Sequence, residues 1–343
     1  MKNYYRLFLL STVLFLFNCT PPAEKKYFIS DLKIEKTPWS YEPTGKPDGQ
    51  FTFAIISDLN GGEREGIFDV GVELINLLRA DFILSVGDLV NGETEEVTEL
   101  QKQYDSFDQR AAKAKAPMFH VGGNHDLTSS GMRDFWEKRY GRKYYHFVYQ
   151  NVLFLVLDTE DYTDEFRERI HHARSEAIAI LEGNHPEEYL HTEYYNMPER
   201  ETGKVEEEQN AYFEKVIASY PEAKYTFVLM HKPVWQREGE GSLSRIENAL
   251  GDRDYTVING HYHSYSYTNR NGHDYIMLGT TGGSQNAEDD YSFDHITLVS
   301  YSDEGPTIAN IRMDGLLNKT GKIPLDGARY CYQASKCRNT ESE

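Results

Sequence analysis

Phe51-Thr52-Phe53-Ala54-Ile55-Ile56-Ser57 is an apolar, β-rich run that ends on the polar group Asp58-Leu59-Asn60. Phe82 to Val86 repeats the arrangement, an apolar run that ends on Gly87-Asp88-Leu89-Val90-Asn91. Between them Ile67, Val70, Gly71, Leu74 and Leu78 recur at helical spacing and predict a helix over 67–78. Strand, helix, strand is the βαβ unit of an α/β sheet, where ligands gather beyond the carboxyl ends of the strands. The alternation continues with a predicted helix over 97–114 and strands over 118–121, 145–149 and 152–157. Further strands are predicted over 225–230, 255–258, 274–278 and 296–301, and a helix over 206–218. Residues 158–205 are polar and rich in His and Glu, with one predicted helix near 169–181, and read as an insertion over one face.

The composition suits such a fold. Of 343 residues 39% are apolar and 27% charged, which excludes a disordered or collagen-like chain. Lys and Arg number 36 against 55 Asp and Glu, a formal charge of −19 with no basic patch, so no nucleic-acid partner is expected. No Pro/Gly/Ser-rich linker divides the interior, so 49–315 reads as one domain and 316–343 as a C-terminal tail.

The amino-terminal residues read differently. Lys2 and Arg6 precede an apolar run from Leu7 to Phe17 that is too short to span a bilayer, which needs ~20 residues. Residues 1–18 have the layout of a signal peptide. Leu16-Phe17-Asn18-Cys19 resembles a bacterial lipobox, which would make Cys19 the lipidated first residue, although Phe17 and Asn18 depart from its usual small residues. Residues 19–48, with Pro21, Pro22, Pro38, Pro43 and Pro47, read as a tether. The expectation is an exported, membrane-anchored lipoprotein, periplasmic or at the cell surface. In an oxidising compartment Cys331 and Cys337 could close a small loop, or they could remain free thiols.

The chemistry-bearing residues stand at predicted strand ends. Asp58 and Asn60 follow the first, Asp88 the second, Asn124, His125 and Asp126 the third, His231 a later one, and His261 and His263 the next. Carboxylates, an amide and imidazoles converging on one rim form a ligand set for Mn, Fe or Zn rather than Ca. They are too many for one four-coordinate ion, and a central Asp can bridge two ions ~3.5–4 Å apart.

In this order the motifs resemble the calcineurin-like metallophosphoesterases of the purple acid phosphatase-like superfamily. The family pattern D-x-H, G-D-x-x, G-N-H-(D/E), a lone H, then G-H-x-H runs over residues 57–263. The resemblance implies an α/β fold, a two-sheet β-sandwich flanked by α-helices, with the active site at strand ends. It implies Asp58 and His263 on a first metal, Asn124, His231 and His261 on a second, and Asp88 bridging both. His125 would protonate the leaving oxygen or stabilise the phosphoryl group in transfer. It further implies a hydrolase in which a metal-held hydroxide attacks a small phosphate ester, monoesters ahead of diesters. Gly87, Gly122 and Gly260 would let the backbone turn beside the metals.

Two positions depart from the pattern. Asn60 stands where the family has the second histidine of D-x-H, so an amide oxygen would ligate the first metal and favour harder ions such as Mn or Mg. Asn91 stands where some members carry an aspartate that orients the GNH histidine, so an amide would hold His125. The alternative is a catalytically impaired surface lipoprotein that serves as a binding or adhesion module, with Asn60 as its mark.

Arg64 and Tyr262 are candidate substrate contacts. Tyr262, Tyr265 and Tyr267 alternate as strand residues would, which would send His261 and His263 to one side. These tyrosines and Trp235 read as rim packing, and 280–284 as a turn that could also cradle phosphate. His171, His172, His185 and His191 lack ligand spacing and read as solvated surface.

Overall fold

The computed structural model describes residues 27–32, 36–44 and 49–337. The signal-peptide and Cys19 expectations lie outside the described residues. Among the described residues no helix is long and apolar enough to cross a membrane.

Twelve strands form two sheets among the described residues: β1 (Phe28–Ile29), β2 (Phe51–Ile56), β3 (Phe82–Ser85), β4 (Met118–Phe119), β5 (Tyr145–Tyr149), β6 (Val152–Val156), β7 (Tyr225–Leu229), β8 (Tyr255–Asn259), β9 (Ser266–Arg270), β10 (His273–Met277), β11 (His295–Ser302) and β12 (Gly305–Arg312). One sheet has the order β1-β5-β6-β7-β8-β10-β9, the other β12-β11-β2-β3-β4. In the first, β6, β7, β8 and β10 are parallel, and in the second β2, β3 and β4 are.

The period of two along each strand sorts its side chains between layers. Phe53, Ile55, Phe82, Leu84 and Phe119 point between the sheets, where they meet Phe147, Phe154 and Phe227. The rings of Phe53 and Phe227 lie 5.1 Å apart in edge contact, and those of Phe119 and Phe147 4.4 Å apart. Ala54, Ile56 and Ile83 point the other way, onto helices α1 (Ile67–Leu78) and α2 (Val97–Ala111). Between β4 and β5 lie the single turn α3 (Asn124–Leu127) and α4 (Ser130–Tyr140); the latter also packs on this face, through Met132, Phe135 and Trp136. After β6 the insertion supplies α5 (Asp164–Leu181) and α6 (Pro198–Thr202); α7 (Glu207–Ser219) and α8 (Ser244–Leu250) then cover the other sheet. The result is the expected sandwich flanked by helices.

The tether reading of 19–48 requires correction over residues 27–32 and 36–44. Phe28 and Ile29 pair with Tyr149 and Val148 at one edge of the first sheet. Trp39 bridges Phe119 at the edge of the second, with Ser40 N donating to Met118 O and His120 N to Pro38 O. Unpaired strand edges need partners, and this segment closes one on each sheet. Trp39 is 6% exposed and seals the gap between them against Phe28 and Tyr145. The proline content that reads as a tether also suits edge segments, where a missing N–H costs nothing.

Residues 316–337, the described part of the tail, are likewise part of the fold. Cys331 and Cys337 form a disulfide, and Tyr332 is buried against the helix face of the second sheet. Its carbonyl accepts from Asp294 N. Strands β9 and β12 escape a sequence reading because β9 is almost wholly exposed and polar, and β12 begins Gly305-Pro306 and is an edge strand.

A chain that starts at residue 49 therefore loses Trp39 and both edge closures. It is expected to unfold at lower urea concentration than one that starts at residue 27, by about 3 kcal/mol or more, the usual cost of emptying a buried aromatic site. Equal midpoints in equilibrium denaturation would restore the tether reading.

Candidate metal centre

Both sheets deliver their parallel strand ends to one rim. Asp58, Asp88 and Asn124 follow β2, β3 and β4, while His231 and His261 follow β7 and β8. Asp58 and His231 are 0% exposed, Asp88 2% and Asn124 3%. One ligand atom from each of Asp58, Asp88 and His231 lies within 4.8 Å of the others. His263 Nε2 stands 3.3 Å from Asp58 Oδ1, and His231 Nε2 3.2 Å from Asp88 Oδ2.

Each imidazole is anchored through its outer nitrogen. His231 Nδ1 meets Val86 O at 2.8 Å, His261 Nε2 meets Arg200 O at 2.8 Å, and His263 Nδ1 meets Ser284 O at 2.7 Å. A ring nitrogen tied to a carbonyl must carry a proton, which turns the other nitrogen inward, where it can offer a lone pair once it is free of a proton of its own. His125 Nδ1 is held in the same way by Asn91 O at 2.7 Å.

The Asn124 amide tests whether these groups suit a cation. Its oxygen faces His231 Nε2 and His261 Nδ1, and its nitrogen faces the His125 N–H and Arg174. For hydrogen bonding alone this is the wrong way round, since a half turn of the amide would satisfy both ends. For a cation it is the right way, because the amide oxygen, the His261 Nδ1 lone pair and, once its proton is displaced, His231 Nε2 meet at one point. The residues fit a metal.

The electrostatics agree. Burial would raise the Asp88 pKa, but His231 and His125 hold it well below the usual carboxylate range. Burial would lower the His231 pKa, yet Asp88 pulls it up to about 9. Asp58 raises His263 against the same burial effect. Burial, with Lys232 and His231 beside it, lowers His261 well below its ordinary value, so that it stands as a neutral ligand. Asp126 joins two of the loops, accepting from Gly123 N at 2.8 Å and Leu89 N at 3.2 Å.

Backbone strain accompanies this convergence. Asp58, Asp88, His261 and His263 all have positive φ, a region that costs non-glycine residues about 1–3 kcal/mol each. The alternation expected for 261–267 is therefore absent; β9 starts only at Ser266, and both histidines are aimed by left-handed bends. At Gly87 a Cβ would run into the His231 ring, and at Gly260 into Asp58. Gly122 instead makes room for Leu127.

Several expected site residues stand elsewhere. Asn60 does not face the candidate ligands: its Nδ2 donates to Leu89 O at 3.2 Å, and it lines a separate cleft with Asn91 and Gln103. The main-chain bond from Asn60 N to Asp88 O fixes that direction. Arg64 is not free for phosphate; it donates to Gly283 O, Cys331 O and Asp294 Oδ1 at 2.8, 2.9 and 2.6 Å. The amides of 280–284 do not cradle an anion, since Thr281 N donates to Ser57 O and Gly283 N to Asp58 O. Asn91 holds His125 through its backbone rather than its side chain. Trp235 bonds Asn259 behind the rim, and Tyr262 does line the cleft.

Two residues went unnoticed in the sequence. Glu93 Oε1 lies 3.3 Å from His125 Nδ1, supplying the carboxylate that Asn91 lacks. Arg174, from α5, pairs with Glu93 and places NH2 3.2 Å from His125 Nε2. Glu93 could have been suspected from its place five residues after Asp88. Arg174 carries no local signal, because only the packing of the insertion brings it in.

Residues 51–265 match the family model of calcineurin-like phosphoesterases, and the chain belongs to that family. It is by that membership a metal-dependent hydrolase of phosphoric esters, with a dinuclear metal site implied. The fold is similar to that of a dimetal phosphatase from Danio rerio, at 15% identity and a TM-score of 0.51, covering 76% of this chain and 98% of that one. A purple acid phosphatase from yellow lupin gives 13% identity and a TM-score of 0.49, over 78% of this chain and 53% of that one. At these identities the likeness concerns the fold alone. A comparison with curated proteins finds no match.

Because His231 and His263 hold protons that a cation must displace, Mn2+ affinity should rise with pH between 6 and 8, about tenfold per pH unit for each proton released. Equilibrium dialysis would measure it, and an affinity independent of pH would remove these imidazoles from the ligand set.

Proposed function

We propose that the chain is an exported, lipid-anchored dinuclear phosphoesterase that prefers phosphomonoesters. The observation that carries the reading is the convergence of Asp58, Asp88 and His231, all buried at strand ends of both sheets, with one ligand atom from each within 4.8 Å of the others. In this reading Asp58 and His263 hold one ion, Asn124, His231 and His261 the other, and Asp88 both. Bound there, two ions would polarise the phosphoryl group and lower the pKa of a coordinated water. With Asn60 turned away, the first position has Asp58, Asp88 and His263 only, and takes the weaker-bound, harder ion, Mn or Mg. The second suits Mn, Fe or Zn.

His125 is the proton donor to the leaving oxygen. Asn91 O and Glu93 fix its ring from the Nδ1 side, and its Nε2 faces the cleft beside Arg174. The Arg174 guanidinium supports the preference for monoesters, whose terminal oxygens carry one more negative charge than those of a diester. The binding-module alternative took Asn60 as its mark, and Asn60 stands outside the ligand set.

Export is supported by the basic head and apolar run of residues 1–18 and by the Cys331–Cys337 disulfide, a bond at home in an oxidising compartment.

Metal-loaded protein should hydrolyse an aryl phosphomonoester faster than the matching diester, and Asp88→Ala should abolish both. His125→Ala should lower kcat by about 10²–10⁴ with metal content retained. A His125→Ala enzyme with unchanged kcat would take the donor role from that residue. In cells that process lipoproteins, Cys19→Ser should move the chain from the membrane to the soluble fraction; unchanged fractionation would refute the lipid anchor.

A further inference from the structure

Helix α5 has two apolar faces with different employers. Ile170, Ala173 and Ala177 pack into a small core with Tyr162, Tyr194 and Met197, and that core holds the insertion together. Ile178 and Leu181 take no part in it. They lie on a second stripe with Arg174, at spacings of four and three, and all three line the cleft of about 510 Å3 above the metal ligands. Helical geometry stretches that stripe over about 10 Å.

The stripe is graded. Arg174 is 7% exposed and lies against His125; Ile178 is half-buried; Leu181 is 51% exposed at the rim. Tyr189 and Tyr262 add ring surface to the same cleft. A leucine left half in water at the end of a charged helix gains nothing from folding, but it can gain from a ligand that covers it. The cleft falls in the usual size range of small-molecule sites and is far larger than a phosphate group alone needs.

Arg174 is prepared for an anion. Glu93 and the Tyr194 hydroxyl, the latter 2.6 Å from NH1, fix the guanidinium plane, while NH2 donates to His125 Nε2. The guanidinium also lines the cleft, so a phosphoryl oxygen seated there meets a donor fork already held in place.

We infer that α5 measures the substrate: Arg174 takes the phosphoryl oxygens, and Ile178, Leu181 and Tyr189 take an apolar leaving group of at least ring size. This rests on the phosphoesterase reading and narrows it to phosphomonoesters of apolar, ring-bearing alcohols. Small polar alcohols such as glycerol would leave the stripe in water.

The test is calorimetric binding of phenylphosphonate and methylphosphonate to the Mn2+-loaded chain. Phenylphosphonate should bind about tenfold more tightly, about 1.4 kcal/mol. Ile178→Ser and Leu181→Ser should each narrow that gap, whereas Arg174→Lys should weaken both ligands about tenfold and preserve it. Because methylphosphonate reports a folded, loaded site in the serine variants, a lost gap cannot be mistaken for unfolding. Equal affinities, a gap untouched by both serine variants, or no binding of either phosphonate would overturn the inference. If the gap appears as expected but no ester is turned over with any metal, the phosphoesterase reading fails while the assignment of the α5 face stands.

Discussion

Asp58 and Asp88 are buried carboxylates at the ends of adjacent parallel strands, and the rest of the molecule is arranged around their charge. A carboxylate taken out of water is costly unless it meets hydrogen bonds and opposite charge. Main-chain N–H groups meet part of the need, from His261 toward Asp58 and from His125 toward Asp88. Imidazoles meet the rest, and because each is tied to a backbone carbonyl on its far side, none can swing away. The outcome is a concentration of inward nitrogens and negative charge that attracts protons to His231 and His263 and that divalent cations can take in their place.

Such a centre needs a rigid base. The four bends with positive φ are unfavourable taken singly, and persist because strands from both sheets fix the ends of every loop that carries a ligand. Aromatic packing between the sheets supplies the stiffness, with Phe53, Phe82 and Phe154 in mutual ring contact. The N-terminal segment and the C-terminal tail add to it from outside. One closes two sheet edges, and the other holds Arg64 and Asp294 against the loop that carries Ser284.

The insertion is built on different terms. It has its own small core and is pinned to the domain by buried ion pairs, Arg133 with Asp158 at 2.6 Å and Lys232 with Glu160 at 2.7 Å. Lys232 directly follows His231, so the insertion is anchored one residue from a candidate metal ligand. Its contribution to the site is correspondingly specific: Arg200 O orients His261, Arg174 reaches His125, and the outer face of α5 forms a wall of the cleft.

How much of this was legible in the sequence follows from which interactions are local. The βαβ alternation, the span of α1 and the strands that carry the ligands are written in hydrophobic period, and the ligand types are written as motifs at strand ends. Edge strands such as β9 and β12 were not legible, because β9 is in water on both faces and shows no alternation, and β12 opens on Gly305-Pro306 with little of it buried. The direction of Asn60, the use of Arg64 in holding the tail, and the meeting of Glu93 with Arg174 were not legible either. Each depends on partners distant in sequence, such as Asp294 and Cys331 for Arg64, that only the packed fold brings together. The sequence by itself determined the class of fold and the chemistry of the centre, since both rest on periodicity and residue type. Only the tertiary structure decided which side chains face the metals and what shape lies above them, since a hydrogen bond between remote residues has no local signature.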